Sequence, residues 1–422
     1  MRIPLQSATR KFLLLGSALF VALLYIGSAS TEYLAAYFSE KPDLASLQRA
    51  SRLAPGNAEY EHRIGRYFSL VAMSPSEALP HYQSAVALAR DKARYWFSLA
   101  VTYQILGETG KQMQALERAI QSDPKTPDVA WQAANLYLVQ GETAKAMHEF
   151  RIVLENDPSL TLPALQLCWR TNPDVDSLLR EVAPPLAGVY ATLLDFMISR
   201  KQTAGAAKVW TKMVELGQTV ETQSVFAYVR YLIQEREVTQ AGNVWRQAAT
   251  ISELSNYQPS SADLVVNGDF SQPVLNGGFD WQYDKPAGVS FALDPSEGHL
   301  GVHSLLIAFA GQPIDDVGLR QIVPVQPGTH YDFSAYFKAP HMEGAGGARF
   351  VVEDFYSGET LYLSDDLKNA EVWKQVNGTF TSQADARLLV IRVRRIPAGS
   401  PMRGSLWIDG VRLAASQSES RP

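Results

Sequence analysis

The sequence predicts two architectures in one chain: an all-α helical-repeat solenoid followed by an all-β antiparallel sandwich, with one apolar segment in front of both. Three observations predict this order. Residue types recur with a period of about 34 residues between Tyr95 and Pro158. Apolar and polar residues alternate with period two after residue 261. The run from Phe12 to Ala29 is almost wholly apolar. A chain of 422 residues is also too long for one core.

The repeat is defined by pairs of positions that share a residue type. These pairs are Trp96 and Trp131, Tyr103 and Tyr137, Gly107 and Gly141, Met113 and Met147, and Asp123-Pro124 and Asp157-Pro158. Each unit is typical of two antiparallel helices. The first helix ends at a glycine that suits a left-handed cap, and the second has apolar residues three or four apart and stops before a proline.

These residues resemble the tetratricopeptide repeat (TPR), whose outline is kept at Trp96, Leu99, Ala100, Tyr103, Gly107, Ala115, Ala119 and Pro124. Ala100 stands where that outline has glycine. The resemblance implies a right-handed solenoid whose concave face holds a peptide or a protein. Weaker helix pairs extend the predicted domain to residues 40–253. The partner-binding candidates lie on the inner face of the first helices, and they are Arg66, Gln104, Asn135 and Arg230.

Residues 1–11 are basic and free of acids, and residues 12–30 are predicted to form a transmembrane signal anchor. A cleaved signal peptide is the alternative, with the cut after Ser28-Ala29-Ser30. Both alternatives place the bulk of the protein outside the cytoplasm, in a periplasmic or extracellular location. If residues 12–30 are retained as an anchor, the chain is a single-pass membrane protein. The only cysteine, Cys168, is expected to be a buried structural thiol.

Composition and motifs narrow the function classes. A net charge of −5 gives no basic surface for nucleic acid. A single cysteine cannot form an internal disulfide or a cysteine-based zinc site. The sequence contains no HExxH, GxSxG, P-loop or GxGxxG signature, and helical repeats followed by a sandwich are typical of a binding protein. We therefore expect a protein that is not an enzyme and that uses no catalytic cofactor.

Residues 254–261 form a short polar linker, residues 262–415 form the predicted sandwich, and residues 416–422 form a polar tail. The alternation is clearest in Thr329–Lys338, whose apolar residues would face the core. Seven or more such strands in about 150 residues, with no helix between them, are typical of an antiparallel sandwich.

The landmarks of this domain are Asn267-Gly268-Asp269-Phe270, Gly278-Phe279-Asp280-Trp281, the stretch 327–339, and Trp407-Ile408-Asp409-Gly410-Val411. In this order they resemble the jelly-roll carbohydrate-binding modules of the family 4/9 type, which are related to galactose-binding-like domains. The resemblance implies the fold and suggests glycan binding. It also suggests a structural calcium ion with oxygen ligands from Asp269 and Asp409, although an Asp in a turn that bonds its own backbone is an equal alternative.

A glycan site needs exposed aromatic rings, because the C–H faces of sugars pack on them. The candidates on an exposed face are Trp281, Tyr283, Tyr336, Tyr356, Tyr362 and Trp373. The motif positions of Trp281, Trp373 and Trp407 also suit the core. Tyr336 is the most informative, because it alternates out of phase with the apolar face of its strand. The run Arg392, Arg394 and Arg395 suits either an anionic polysaccharide or a solvated sheet edge.

The sequence therefore predicts a scaffold or adaptor of the bacterial envelope. In the leading hypothesis the repeats bind a protein and the sandwich binds a glycan, with a role in the assembly or export of extracellular polysaccharide. The alternative is a pure protein-assembly scaffold whose sandwich binds no sugar.

Overall fold

The computed structural model of the protein describes residues 8–416, which form fourteen helices followed by antiparallel strands. The chain divides into two compact units between Pro184 and Pro185. The predicted fold class is confirmed, with the helices in the N-terminal half and the sheets in the C-terminal half.

The helices of the first unit are α1 Ala8–Ser39, α2 Leu44–Leu53, α3 Ala58–Leu70, α4 Pro75–Leu88, α5 Ala93–Ile105, α6 Thr109–Ser122, α7 Pro127–Val139, α8 Thr143–Asn156, α9 Thr161–Thr171 and the short α10 Val175–Ser177, which continues as a π-helical turn over Leu178–Val182. The helices of the second unit are α11 Ala187–Ser199, α12 Thr203–Leu216, α13 Thr222–Gln234 and α14 Val238–Ala248.

The two repeats are the helix pairs α5–α6 and α7–α8. Gly107 and Gly141 follow the first helix of each pair with φ of 76° and 77°, which only glycine adopts readily. The predicted left-handed caps are therefore confirmed. Small buried residues such as Ala100 and Ala134 let neighbouring helices approach closely. Cys168 is buried in α9, and burial raises the pKa of its thiol to about 12, so the thiol is unreactive at neutral pH.

Helix α1 extends past the predicted segment 12–30 to Ser39. Its apolar side chains are exposed, and it is long and apolar enough to cross a membrane, a test that signal sequences also meet. Its last turns pack against α2 and α3, because Ala35 is fully buried in one cluster with Ala50 of α2 and Tyr60 of α3. The choice between anchor and cleaved signal stays a prediction.

The sandwich consists of two antiparallel sheets. The strands are β1 Gln282–Tyr283, β2 Val289–Asp294, β3 Ser304–Ile314, β4 Asp316–Pro324, β5 His330–Ala339, β6 Met342–Glu343, β7 Gly347–Asp354, β8 Thr360–Leu363, β9 Ala370–Thr381, β10 Leu388–Ile396 and β11 Ser400–Ala415. The first sheet has the order β1-β4-β10-β7-β8, and the second has the order β2-β3-β11-β5-β9, with β6 paired to β11.

The alternation predicted for β5 is confirmed. Tyr331, Phe333 and Phe337 are buried in the core between the sheets, whereas His330 and Asp332 are exposed. Because side chains of a strand alternate between its two faces, His330, Asp332, Ser334, Tyr336 and Lys338 lie on the outer face of the second sheet.

The sandwich and the last helices belong to the same compact unit. Trp245 of α14 is buried, packs edge-on against Phe279 with 5.7 Å between ring centroids, and donates from Nε1 to the Tyr257 carbonyl oxygen at 2.8 Å. The Tyr257 hydroxyl donates to the Pro273 carbonyl at 2.8 Å. Residues 254–261, expected as a linker, are thus held between helix and sandwich. These contacts join α14, residues 254–261 and the sandwich within the second unit.

Candidate functional site

The outer face of the second sheet carries a cluster of aromatic rings, which we call the aromatic patch: His299, Tyr336 and Trp373. The His299 ring centroid lies 4.3 Å from that of Tyr336 and 5.2 Å from that of Trp373, and the His299 and Trp373 planes are within 28°. Tyr336 and Trp373 are half-buried and His299 is exposed. The patch therefore presents flat apolar surface to solvent beside polar groups, as a sugar site requires.

A buried carboxylate positions the histidine. Asp409 in β11 is fully buried, and its Oδ2 accepts hydrogen bonds from the backbone N–H groups of His299 at 2.7 Å and Leu300 at 2.9 Å. Gly410 follows with φ of 59°, and a Cβ there would lie 2.5 Å from Leu300 and 3.1 Å from Tyr336. The loop 296–303 can therefore lie against β11 and β5 because residue 410 has no side chain.

Polar side chains flank the patch on the same face. The Lys338 ammonium lies 2.6 Å from Glu297 Oε2 and 5.9 Å from the centroid of the Trp407 ring. Trp407 Nε1 donates to Asp294 Oδ2 at 2.8 Å. Hydrogen bonds from Ser296 and then Trp407 lower the pKa of Asp294, so this carboxylate stays charged and can accept hydrogen bonds. Charged and amide groups beside aromatic rings can together read sugar hydroxyls.

Two exposed amides extend this polar rim along β9. Gln375 pairs in register with Tyr336, and Asn377 pairs with Ser334. Both side chains are exposed. Their position places hydrogen-bonding groups next to the Tyr336 ring.

The prediction that Trp281 contacts a sugar is wrong. Trp281 is fully buried, packs on Phe270 with 5.4 Å between centroids, and donates from Nε1 to the Asn267 carbonyl oxygen at 3.1 Å. Its ring fills the core of the sandwich, so no sugar can stack on it. The alternative interpretation of Trp281, as a core residue, is therefore the correct one.

Two predicted tyrosines make contacts inside the unit. The Tyr356 hydroxyl donates to the Ile233 carbonyl oxygen of α13 at 2.8 Å, and the Arg236 guanidinium lies 4.8 Å from its ring centroid. The Tyr362 hydroxyl donates to the Asn377 carbonyl oxygen at 3.1 Å, and its ring lies 5.1 Å from that of Phe333. Both side chains therefore pack against other residues of the second unit, and neither belongs to the aromatic patch.

Tyr283 belongs to the edge strand β1 of the other sheet. It stacks on Phe291 with 4.9 Å between centroids and 23° between planes, and it is half-buried. The structure therefore brings Tyr336 together with Trp373, and adds His299, which the sequence did not indicate as a sugar contact. No spacing signal identifies His299, because it reaches the patch through the fold of loop 296–303.

The three arginines of β10, Arg392, Arg394 and Arg395, lie in two different environments. Arg394 pairs with Glu353 at 2.8 Å, and Arg392 lies 3.4 Å from Asp316 Oδ2. Arg395 is buried and donates to backbone carbonyl oxygens, among them that of Ala345 at 2.6 Å, and burial lowers the pKa of its guanidinium. Acidic neighbours thus neutralise the outward arginines, whereas Arg395 is structural.

Asp269 and Asp409 are the residues expected to bind a structural calcium ion. Calcium takes six to eight oxygen ligands. Asp409 Oδ1 is buried and has no hydrogen-bond partner among residues 8–416. Asp269 accepts from the Ser271 hydroxyl at 2.7 Å and its backbone N–H at 3.3 Å, as in an ordinary Asp turn. Over the same described range no cluster of three or more metal-ligating side chains occurs. These side chains do not by themselves form a calcium site.

The partner-binding candidates lie on first helices in both units. In the first unit, a groove of about 330 Å³ between α5 and α7 is lined by Val101, Trp131, Asn135 and Val139. Asn135 Nδ2 donates to the Trp131 carbonyl oxygen at 2.7 Å. Gln104 is half-buried on α5 and Arg66 is exposed on α3. Arg230 is exposed on α13, in the second unit. Asn135 is therefore the candidate that lines a groove.

Comparison with known proteins supports both resemblances. A family model described as a carbohydrate binding domain matches residues 262–398. A tetratricopeptide repeat model matches residues 93–126. The chain thus contains a repeat of the one kind and a domain of the other, as the sequence predicted, and both kinds are non-catalytic. No curated protein sequence matches the chain.

Several solved structures are similar to parts of the chain. A structure described as "CBM4 structure and function" shares 16% identity, covers 36% of this chain and 99% of its own, and has a TM-score of 0.29. The CBM22-1 xylan-binding domain from Paenibacillus barcinonensis Xyn10C shares 15% identity over 37% and 96%, with a TM-score of 0.27. MamA shares 16% identity over 41% and 85%, with a TM-score of 0.26.

Proposed function

We propose that the protein is a non-enzymatic adaptor, anchored in the bacterial envelope by α1, that binds a glycan through the aromatic patch and a protein through its repeats. The observation that carries this proposal is the contact of His299, Tyr336 and Trp373 on the outer face of a carbohydrate-binding domain. An extracellular polysaccharide in assembly or export is the glycan that a membrane-anchored protein of this kind would meet.

The protein-binding part rests on the groove between α5 and α7. Val101 and Val139 expose 41% and 70% of their surface there, although both are aliphatic. Exposed aliphatic surface beside the Asn135 amide suits a peptide that offers apolar side chains and a backbone to pair with. The bulk of the protein would lie outside the cytoplasm, where such a partner would also reside.

A polysaccharide screen with the full-length chain tests the glycan proposal, in calcium and in a chelator. Trp373→Ala and Tyr336→Ala should each weaken binding about tenfold, because each removes one stacking surface. Tyr283→Ala is the matched control, since it removes an aromatic ring from the other sheet. Equal affinity of all variants would contradict the assignment of the patch. Calcium-dependent binding would support Asp409 as one ligand.

A protein-assembly scaffold is the second candidate. The observation that favours it is the use of Tyr356 and Trp245 to join the sandwich to α13 and α14. In that case the sandwich terminates the helical repeats and binds no sugar. A folded protein that binds no polysaccharide in the screen would favour this candidate.

A further inference from the structure

A cleft of about 440 Å³ opens between the second helices of the two repeats, α6 and α8. Its apolar lining includes Ile120 of α6, Ala144 of α8 and the ring of Tyr137. Two carboxylates, Glu117 and Glu149, also line it. This cleft lies on second helices, whereas the groove between α5 and α7 lies on first helices, so the two sites can be tested separately.

Glu149 is the unusual member of this lining. It is 5% exposed and lines the cleft, and among residues 8–416 neither a hydrogen bond nor an ion pair reaches its carboxylate, whose oxygens are not fully buried. Burial raises the pKa of Glu149, and the nearby His148 opposes this rise. A buried carboxylate without a partner destabilises a fold. A cation that binds beside Glu149 would reduce this cost.

The repeat itself provides the comparison. The position equivalent to Glu149 in the preceding repeat is Ala115, which is 2% exposed in α6. Alanine therefore fills this position in the same fold without a carboxylate. The α8 helix does not require the charge at Glu149 for packing.

Lys145 and His148 also line the cleft, and among residues 8–416 neither forms an ion pair with Glu117 or Glu149. Lys145 pairs with Glu142 at 3.7 Å, and its ammonium lies 5.5 Å from the centroid of the Tyr137 ring. Glu117 is exposed and forms no ion pair among the described residues. The cleft therefore keeps two carboxylates for an incoming cation.

We propose that this cleft binds a lysine or arginine side chain of a protein partner, with Glu149 as its buried counter-ion. The aliphatic stem of such a side chain would pack on Ile120, Ala144 and Tyr137, and its charged end would reach Glu149. A metal ion fits less well, since the described residues contain no cluster of three ligating side chains.

The test uses the full-length chain and two matched probes, N-acetyl-lysine methylamide and N-acetyl-norleucine methylamide, in calorimetric titrations. The norleucine probe has the same stem without the charge. Glu149→Gln and Glu149→Ala remove the counter-ion, and the alanine variant reproduces the residue of the preceding repeat. Glu155→Gln is the control, because it removes one carboxylate from the exposed side of α8, where Glu155 pairs with Arg151 at 3.1 Å.

The lysine probe should bind saturably to the wild type and more tightly than the norleucine probe. Both Glu149 variants should lower its affinity about tenfold, as expected for one charge-assisted hydrogen bond, and Glu155→Gln should retain it. Equal binding of the two probes, or unchanged binding to Glu149→Gln, would overturn the proposal. A lower unfolding midpoint for both Glu149 variants would also overturn it, because Glu149 would then be a structural residue.

Discussion

The buried carboxyl group of Asp280 allows a prediction of how the stability of the second unit depends on pH. Asp280 is fully buried in the loop before β1, and its Oδ2 accepts from the Leu275 backbone N–H at 2.7 Å. Its Oδ1 has no partner among the described residues 8–416. Burial disfavours the charged form and raises the pKa of Asp280 from an ordinary 3.8 to about 7, although the backbone hydrogen bonds oppose this shift.

The sign of the effect follows from where the proton is held. Between pH 4 and 7 the folded state keeps the Asp280 proton, whereas the unfolded state has lost it. The stabilising contribution is therefore complete below about pH 4 and is lost as the pH rises towards 7. A shift of this size corresponds to about 4 kcal/mol of unfolding free energy.

Asp280→Asn keeps an oxygen that can accept from Leu275 and removes the ionisation. Denaturant unfolding of the full-length chain, followed by tryptophan fluorescence at a series of pH values, should show the wild type weakening between pH 4 and 7 relative to this variant. Asp284→Asn is the control, because Asp284 is exposed four residues away. A constant difference between wild type and Asp280→Asn across this range would refute the reasoning.

Two further predictions concern His62 and Gly410. Burial lowers the pKa of His62 from 6.5 to about 4. The contribution of His62 to the free energy of unfolding is therefore complete above pH 6.5, and about 3 kcal/mol is lost as the pH falls to 4. Denaturant unfolding of His62→Gln should lack this loss of stability in acid, and an identical loss in the variant would contradict the prediction. Gly410→Ala should destabilise the chain by about 2 kcal/mol and weaken glycan binding, because φ is 59° and the new Cβ would meet Leu300. Gly328→Ala is its control in both assays, since it has the same φ of 59° with no atom within 4 Å, and equal effects of the two variants would contradict the role of the loop.

Periodic patterns made the helical repeats and the strands predictable from sequence. Each position of one repeat has an equivalent position one period away, as Gly141 has in Gly107. The structure predicted for one of the two positions is therefore supported by the residue at the other. The alternation in β5 likewise predicts Phe333 on the core face and Tyr336 on the outer face, as the structure has them. Both features are local, because they depend on the geometry of one helix or one strand.

The candidate site was only partly predictable, because its contacts are not local. Trp281 and Trp373 are both tryptophans in the sandwich, yet one fills the core and the other lies on the outer face. Sequence spacing does not decide between these environments. His299 reaches the patch only because Asp409 binds the backbone of its loop, more than a hundred residues away in sequence.

The termination of the helical repeats has a physical explanation in the second unit. The last helix pair of a repeat array exposes an apolar face unless another element covers it. In this chain Trp245 of α14 is 1% exposed and Phe226 of α13 is 4% exposed, and residues 277–279 of the sandwich lie against both. The sandwich therefore replaces the polar terminal helix that usually ends such an array. The domain thus covers the last helices through residues 277–279, while Gln375 and Asn377 on the outer face of its second sheet stay exposed to solvent.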